Sequence, residues 1–137
     1  MVPLPLESLQ KTARDADLGR LRIRVENVVV PAVALVGSQD DLDDVLESWQ
    51  TDSPTVGIVP LMEGADPIRE PAEAEGWFER GVRLVGLSWK AGTRYAGGDA
   101  AQGPLTDLGR ELLEVMAELG MILDVSHLAE ESLFEAV

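Results

Sequence analysis

The chain has 137 residues, 45% of them hydrophobic, which suits one ordinary domain with a packed core and argues against disorder over most of its length. Its 25 Asp and Glu against 11 Lys and Arg leave a formal charge of -14, which repels phosphate backbones and anionic lipid and so disfavours nucleic-acid and membrane-surface partners. The absence of cysteine excludes disulfides, thiolate metal sites and thiol nucleophiles.

The amino end has no basic n-region, and Pro3 and Pro5 interrupt its short apolar stretch, so it does not read as a signal peptide. No uncharged run approaches the roughly 18 residues needed to span a bilayer. The expectation is a soluble, cytoplasmic protein. Residues 1–20 are a weakly structured lead-in with a candidate helix over 6–18. Residues 21–25 alternate, and the almost wholly apolar run 28–36 reads as a buried strand, which Pro31, lacking a ladder donor, is expected to split or shift. Ser38 reads as the N-cap of a helix with Asp40 and Asp41 in its first turn and an apolar face at Leu42, Val45, Leu46 and Trp49.

The polar cluster Thr51-Asp52-Ser53-Pro54 stops that helix, and a second strand is expected over 56–62, with a turn at 63–67. A helix over about 71–80 follows, with Pro71 in its first turn and Gly81 as its stop. Trp77 and Phe78 are expected to pack it on the sheet, and Trp49 to do the same for its own helix. A third strand covers 82–87. Residues 89–104, with Gly92, Gly97, Gly98 and Gly103, read as an irregular segment of a length that is usually functional or mobile. Arg94 and Tyr95 read as exposed residues of that loop, with contact to a substrate carboxylate as the alternative. Thr106 caps the next helix, whose stripe is Leu105, Leu108, Leu112, Met116 and Leu119 and whose stop is Gly120. A fourth strand over 121–125 and a helix over 130–137, capped by Ser126, complete the series.

Strands alternating with helices imply right-handed βαβ units and a parallel sheet of about four strands. No phosphate-cradling glycine motif is present, so nucleotide roles lose their main support. In parallel α/β folds ligands and catalytic groups collect at the carboxyl ends of strands. Glu63 ends one apolar run there, and His127, the only histidine, follows another. An imidazole and a carboxylate so placed suggest a metal site, but zinc needs at least three protein ligands, so the chain reads as part of one. By residue type alone, Glu63 also reads as a solvated strand-end carboxylate and His127 as a capping or core histidine.

The stretches Val59-Pro60-Leu61-Met62-Glu63-Gly64-Ala65-Asp66, Arg80-Gly81-Val82-Arg83-Leu84-Val85-Gly86-Leu87-Ser88-Trp89 and Gly120-Met121-Ile122-Leu123-Asp124-Val125-Ser126-His127 resemble the membrane (renal) dipeptidase family of zinc peptidases. So do Leu105-Thr106-Asp107-Leu108-Gly109-Arg110-Glu111 and Arg94-Tyr95-Ala96-Gly97-Gly98, so the resemblance covers about residues 56–137. It implies a partial (β/α)₈ barrel, with a binuclear zinc centre at the strand ends and a dipeptide substrate. Glu63 is then similar to the carboxylate bridging the two zinc ions, and His127 to a histidine ligand of one of them. Two bridged cations about 3.5–4 Å apart ionise a shared water, which attacks the peptide carbonyl.

Three departures accompany the resemblance. The family's His-x-Asp pair has no counterpart, since His127 is the only histidine. A later zinc histidine and a proton-shuttling aspartate belong to the second half of the barrel. Trp89 stands near where some members carry a substrate-contacting histidine. No residue is assigned to catalysis, Asp124 and Ser126 included. A complete barrel takes about 250 residues, so the chain reads as a single truncated segment over 1–137 whose open edges and inner face predict self-association. The leading expectation is a segment of a zinc-dependent dipeptidase, inactive alone. The alternatives are a non-catalytic α/β interaction domain derived from the barrel and a small-molecule binding domain using residues 89–104.

Overall fold

The computed structural model describes residues 32–137 and the backbone of two short strands before them, β1 (Arg24–Val25) and β2 (Val28–Val29). The candidate helix over 6–18 lies outside the described residues. The chain divides into two compact units between Ile58 and Val59.

In the first unit β1 and β2 pair antiparallel, and β3 (Ala32–Leu35) runs parallel to β4 (Thr55–Ile58), with Val33 opposite Val56 and Leu35 opposite Ile58. The run 28–36 is thus divided between two strands with different partners, and a proline, which has no ladder donor, lies between them. Helix α1 (Gln39–Ser48) makes the crossover from β3 to β4. The Ser38 hydroxyl accepts from Asp41 N at 3.2 Å and donates to the Asp41 carboxylate at 2.8 Å, satisfying an end donor of the helix. At its other end the Ser48 hydroxyl accepts from Thr55 N at 2.8 Å, and Trp49 Nε1 donates to Thr55 O at 2.8 Å. Of the expected apolar face only Val45 is buried, whereas Leu46 and Trp49 are each 57% exposed. Trp49 therefore fastens its helix through the indole N–H more than by burial.

The strand expected over 56–62 is also two strands. Pro60 interrupts the ladder, and its carbonyl accepts instead from Arg83 N at 3.1 Å. Beyond it β5 (Leu61–Glu63) opens the second unit, where it pairs parallel with β6 (Leu84–Gly86), which in turn pairs parallel with β9 (Ile122–Asp124). A 3₁₀ turn at Pro71–Glu73 leads into α2 (Ala74–Glu79) between β5 and β6. Helix α3 (Asp107–Leu119) precedes β9, and α4 (Glu130–Ala136) follows it. Thr106 caps α3 by accepting from Gly109 N at 3.0 Å, and Gly120 ends it in the left-handed region at φ 71.

Strand alternation gives this sheet two different faces. Met62, Val85 and Leu123 turn to the core, where they meet buried Leu87, Leu112 and Met116 and the partly buried Trp77 and Phe78 of α2. Leu61 and Ile122 stand on the opposite face, 45% and 58% exposed. By the same alternation Glu63, Gly86 and Asp124, aligned in register, share that second face at the carboxyl end.

The segment expected to be irregular holds a β-hairpin, β7 (Ala96–Gly98) against β8 (Ala101–Leu105). It is packed on α4 by Ser132, whose hydroxyl donates to Gly103 O at 2.7 Å and accepts from Gly97 N at 3.2 Å. Tyr95 is correspondingly not an exposed loop residue. It is fully buried, and its hydroxyl donates to Ile68 O. Nor does Ser126 cap α4: Ala129 occupies the cap position, Glu130 N donates to Gln102 Oε1 at 3.3 Å, and Ser126 N turns back to Asp124 Oδ1 at 3.0 Å. Among the described residues no helix is long and apolar enough to cross a membrane.

Candidate metal centre

Glu63 closes β5, and Gly64 then turns the chain at once with φ 90, a conformation that glycine adopts without penalty. His127 stands three places beyond the end of β9, in a turn closed by Leu128 N donating to Val125 O at 3.2 Å. Because β5 and β9 both run parallel to β6, both residues lie at the same rim of one sheet. Their side chains meet there: His127 Nε2 is 3.1 Å from Glu63 Oε1.

The other ring nitrogen is engaged as well. His127 Nδ1 lies 3.2 Å from Asp99 Oδ2, in the turn of the β7–β8 hairpin. The imidazole is thus flanked by two carboxylates, with Trp89 edge-on to it at 6.2 Å between ring centroids. Hydrogen bonding to Asp99 is the largest cause holding the His127 pKa above its usual 6.5, with the Asp99 charge and the Glu63 contact adding to it against some desolvation. The side chains of Glu63, Asp99 and His127 are 54%, 52% and 34% exposed, so the site is an open rim.

Glu63 and His127 are residue types that ligate zinc, and here they are in direct contact. Two ligand atoms about 2.1 Å from a tetrahedral zinc stand about 3.4 Å apart, and the 3.1 Å Glu63 to His127 contact, a direct hydrogen bond here, lies a few tenths of an ångström inside that. Among the described residues no group of three or more His, Asp or Glu side chains is arranged to hold an ion. Asp124 is occupied by its own turn through Ser126 N, and Asp66 is an exposed turn residue. Asp99 carries no strong signal in the sequence. The Gly97-Gly98-Asp99 turn signal was its trace, but nothing there tied it to a histidine 28 positions on.

Residues 4–137 match the membrane dipeptidase family, peptidase family M19, and the chain belongs to that family. A relative from Acinetobacter calcoaceticus, described as an uncharacterized protein in the PQQ-III 3' region, is 31% identical over 91 residues, which is 60% of this chain and 29% of that protein. Among solved structures, the probable dipeptidase PvdM from Pseudomonas aeruginosa aligns at TM-score 0.70 and 22% identity, over 95% of this chain and 31% of the other. An amidohydrolase from Pseudomonas aeruginosa aligns at TM-score 0.69 and 20% identity, over 96% and 35%. A metallo peptidase from Rhodobacter sphaeroides, liganded with a phosphinate mimic of the dipeptide L-Ala-D-Ala, aligns at TM-score 0.62 and 26% identity, over 76% and 31%. The chain spans about a third of the length of these proteins. Its fold is α/β with parallel strands and helices, in keeping with part of a dipeptidase barrel.

Proposed function

We propose that this chain supplies one side of the metal centre of a zinc-dependent dipeptidase, with Glu63 and His127 as two of the ligands. The observation that carries this reading is the 3.1 Å approach of Glu63 and His127, brought from residues far apart in sequence to one rim of a parallel sheet. The exposed apolar row of Leu61 and Ile122, on the sheet face that Glu63 shares, supports a segment of a (β/α)₈ barrel with that row turned inward. A divalent metal bound here supplies Lewis acidity and activates water for attack on a peptide carbonyl. Glu63 contributes negative charge and His127 a neutral nitrogen, a mixed donor set suited to zinc.

The substrate class is dipeptides, in line with the family and with the dipeptide mimic carried by the Rhodobacter relative. The segment alone is inactive, because two ligands do not complete a catalytic site, and self-association covers its exposed row. Equilibrium dialysis against Zn²⁺ tests the reading: the chain retains zinc, and Glu63→Gln and His127→Ala each lower the affinity at least about tenfold. Retention unchanged in His127→Ala contradicts it, and a chain that takes up no zinc favours the non-catalytic interaction domain. Hydrolysis of L-Ala-D-Ala by the chain alone contradicts the inactivity.

A further inference from the structure

We propose that Asp99 is a positioning residue for the metal centre, fixing the tautomer and plane of His127 so that its Nε2 lone pair faces the metal side of the rim. This rests on the reading of Glu63 and His127 as ligands.

The β7–β8 hairpin grips the His127 segment along its length. Asp99 N donates to His127 O at 3.0 Å, Ala129 N donates to Gly97 O at 3.1 Å, and Gly98 and Leu128 form an antiparallel bridge. The Ser88 hydroxyl, from the loop after β6, donates to the same His127 carbonyl at 3.0 Å. His127 itself adopts φ 63, a left-handed conformation that a side-chain-bearing residue enters at a cost. The paired hydrogen bonds on its carbonyl offset that cost. Backbone and ring are therefore held by one residue at once: Asp99 binds the carbonyl through its N–H and Nδ1 through its carboxylate.

A neutral imidazole carries one N–H, so the two flanking carboxylates compete for it. If the proton stays on Nδ1 and is donated to Asp99, Nε2 is left as a lone pair pointing toward Glu63, the arrangement a metal ligand requires. If it stays on Nε2, the donor atom is blocked. A carboxylate on the far nitrogen of a ligating histidine sets this choice and raises the basicity of the ring, and losing such a partner typically lowers metal affinity by about 10- to 100-fold. Trp89, edge-on to the imidazole, limits rotation of the ring out of that plane.

The chain has a single histidine, so long-range ¹H–¹⁵N correlation spectra report its tautomer without assignment ambiguity and without metal. Above the His127 titration the parent and Glu63→Gln are expected to carry the proton on Nδ1. Asp99→Ala, which leaves no acceptor, is expected to shift the population toward Nε2–H and to weaken Zn²⁺ binding by about 10- to 100-fold, with backbone amide shifts outside the hairpin unchanged, and Asp99→Asn, whose amide oxygen still accepts, to shift both less. The tautomer and zinc affinity both staying at parental values in Asp99→Ala, while His127→Ala abolishes zinc binding, overturns the role of Asp99 and leaves the metal reading standing. If instead His127→Ala leaves zinc binding intact, the metal reading fails, and with it the role proposed for Asp99.

Discussion

Gly98 is the position where adding one methyl group most directly tests how the hairpin is seated. A Cβ built there falls against Lys90 O, Gly92 N and Lys90 C, all closer than the 3.0 Å that real Cβ atoms respect, and all are backbone. No side chain can swing aside, so the hairpin or the 90–92 turn has to move. Overpacking of this kind costs about 1–3 kcal/mol, and rigid neighbours place Gly98→Ala near the upper end. The smaller unfolded-state entropy of alanine returns roughly 0.4–1 kcal/mol, for a net loss of about 2 kcal/mol. Gly76 provides the control: it lies in α2 with no atom within 4 Å of a built Cβ, so Gly76→Ala is expected to stabilise by about 0.5–1 kcal/mol. Urea unfolding followed by far-ultraviolet circular dichroism should separate the two variants by about 3 kcal/mol. Because Gly98 adjoins Asp99 and bridges Leu128, the first should also disturb the His127 ring resonances and the second should not. A Gly98→Ala protein as stable as its parent would refute the close backbone packing from which the magnitude follows.

Leu112→Ala removes a fully buried side chain of α3 from the core behind the sheet and should cost about 2–5 kcal/mol in the same urea experiment. Tyr95→Phe should cost about 1 kcal/mol by losing the hydroxyl bond to Ile68 O. Burial holds the Tyr95 phenol above its ordinary value of 10.0. The unfolded chain therefore loses this proton first, and the stability tied to it is full below pH 10 and falls as the pH rises through the folded pKa. Urea midpoints measured at pH 8 and pH 11 should show that alkaline loss in the parent and a smaller one in Tyr95→Phe; equal losses would contradict the burial of this phenol. Thr106→Ala removes the oxygen that accepts from Gly109 N and should lower stability by about 1 kcal/mol.

Much of the second unit was legible because its signals are local. The Thr106 cap, the Leu112 and Met116 stripe and the Gly120 stop each act within a turn or two of their own position, and the structure shows α3 running between them. Parallel pairing followed from the alternation of apolar runs with helices. The split of the run 28–36 between β2 and β3 followed from the missing ladder donor of a proline, whereas the break at Pro60 was harder to place, because an apolar run records burial and not which ladder its amides enter. The hairpin over 96–105 was missed because its strands, Leu105 apart, are made of Gly, Ala, Gln and Pro, which carry little strand propensity. Its stability comes from long-range partners instead: Ser132 on α4, Glu135, which accepts from Leu105 N at 3.1 Å, and Lys90 O, which accepts from Ala100 N at 2.8 Å. Asp99 escaped for the same reason, since its relation to His127 exists only once that hairpin is docked.

Anomalous scattering at the zinc edge from crystals of the chain equilibrated with Zn²⁺ tests whether Glu63 and His127 share an ion. One peak is expected at the sheet rim, within about 2.0–2.2 Å of both His127 Nε2 and a Glu63 carboxylate oxygen. Zinc bound elsewhere, with the His127 and Glu63 side chains still in direct contact and free of metal, would contradict it.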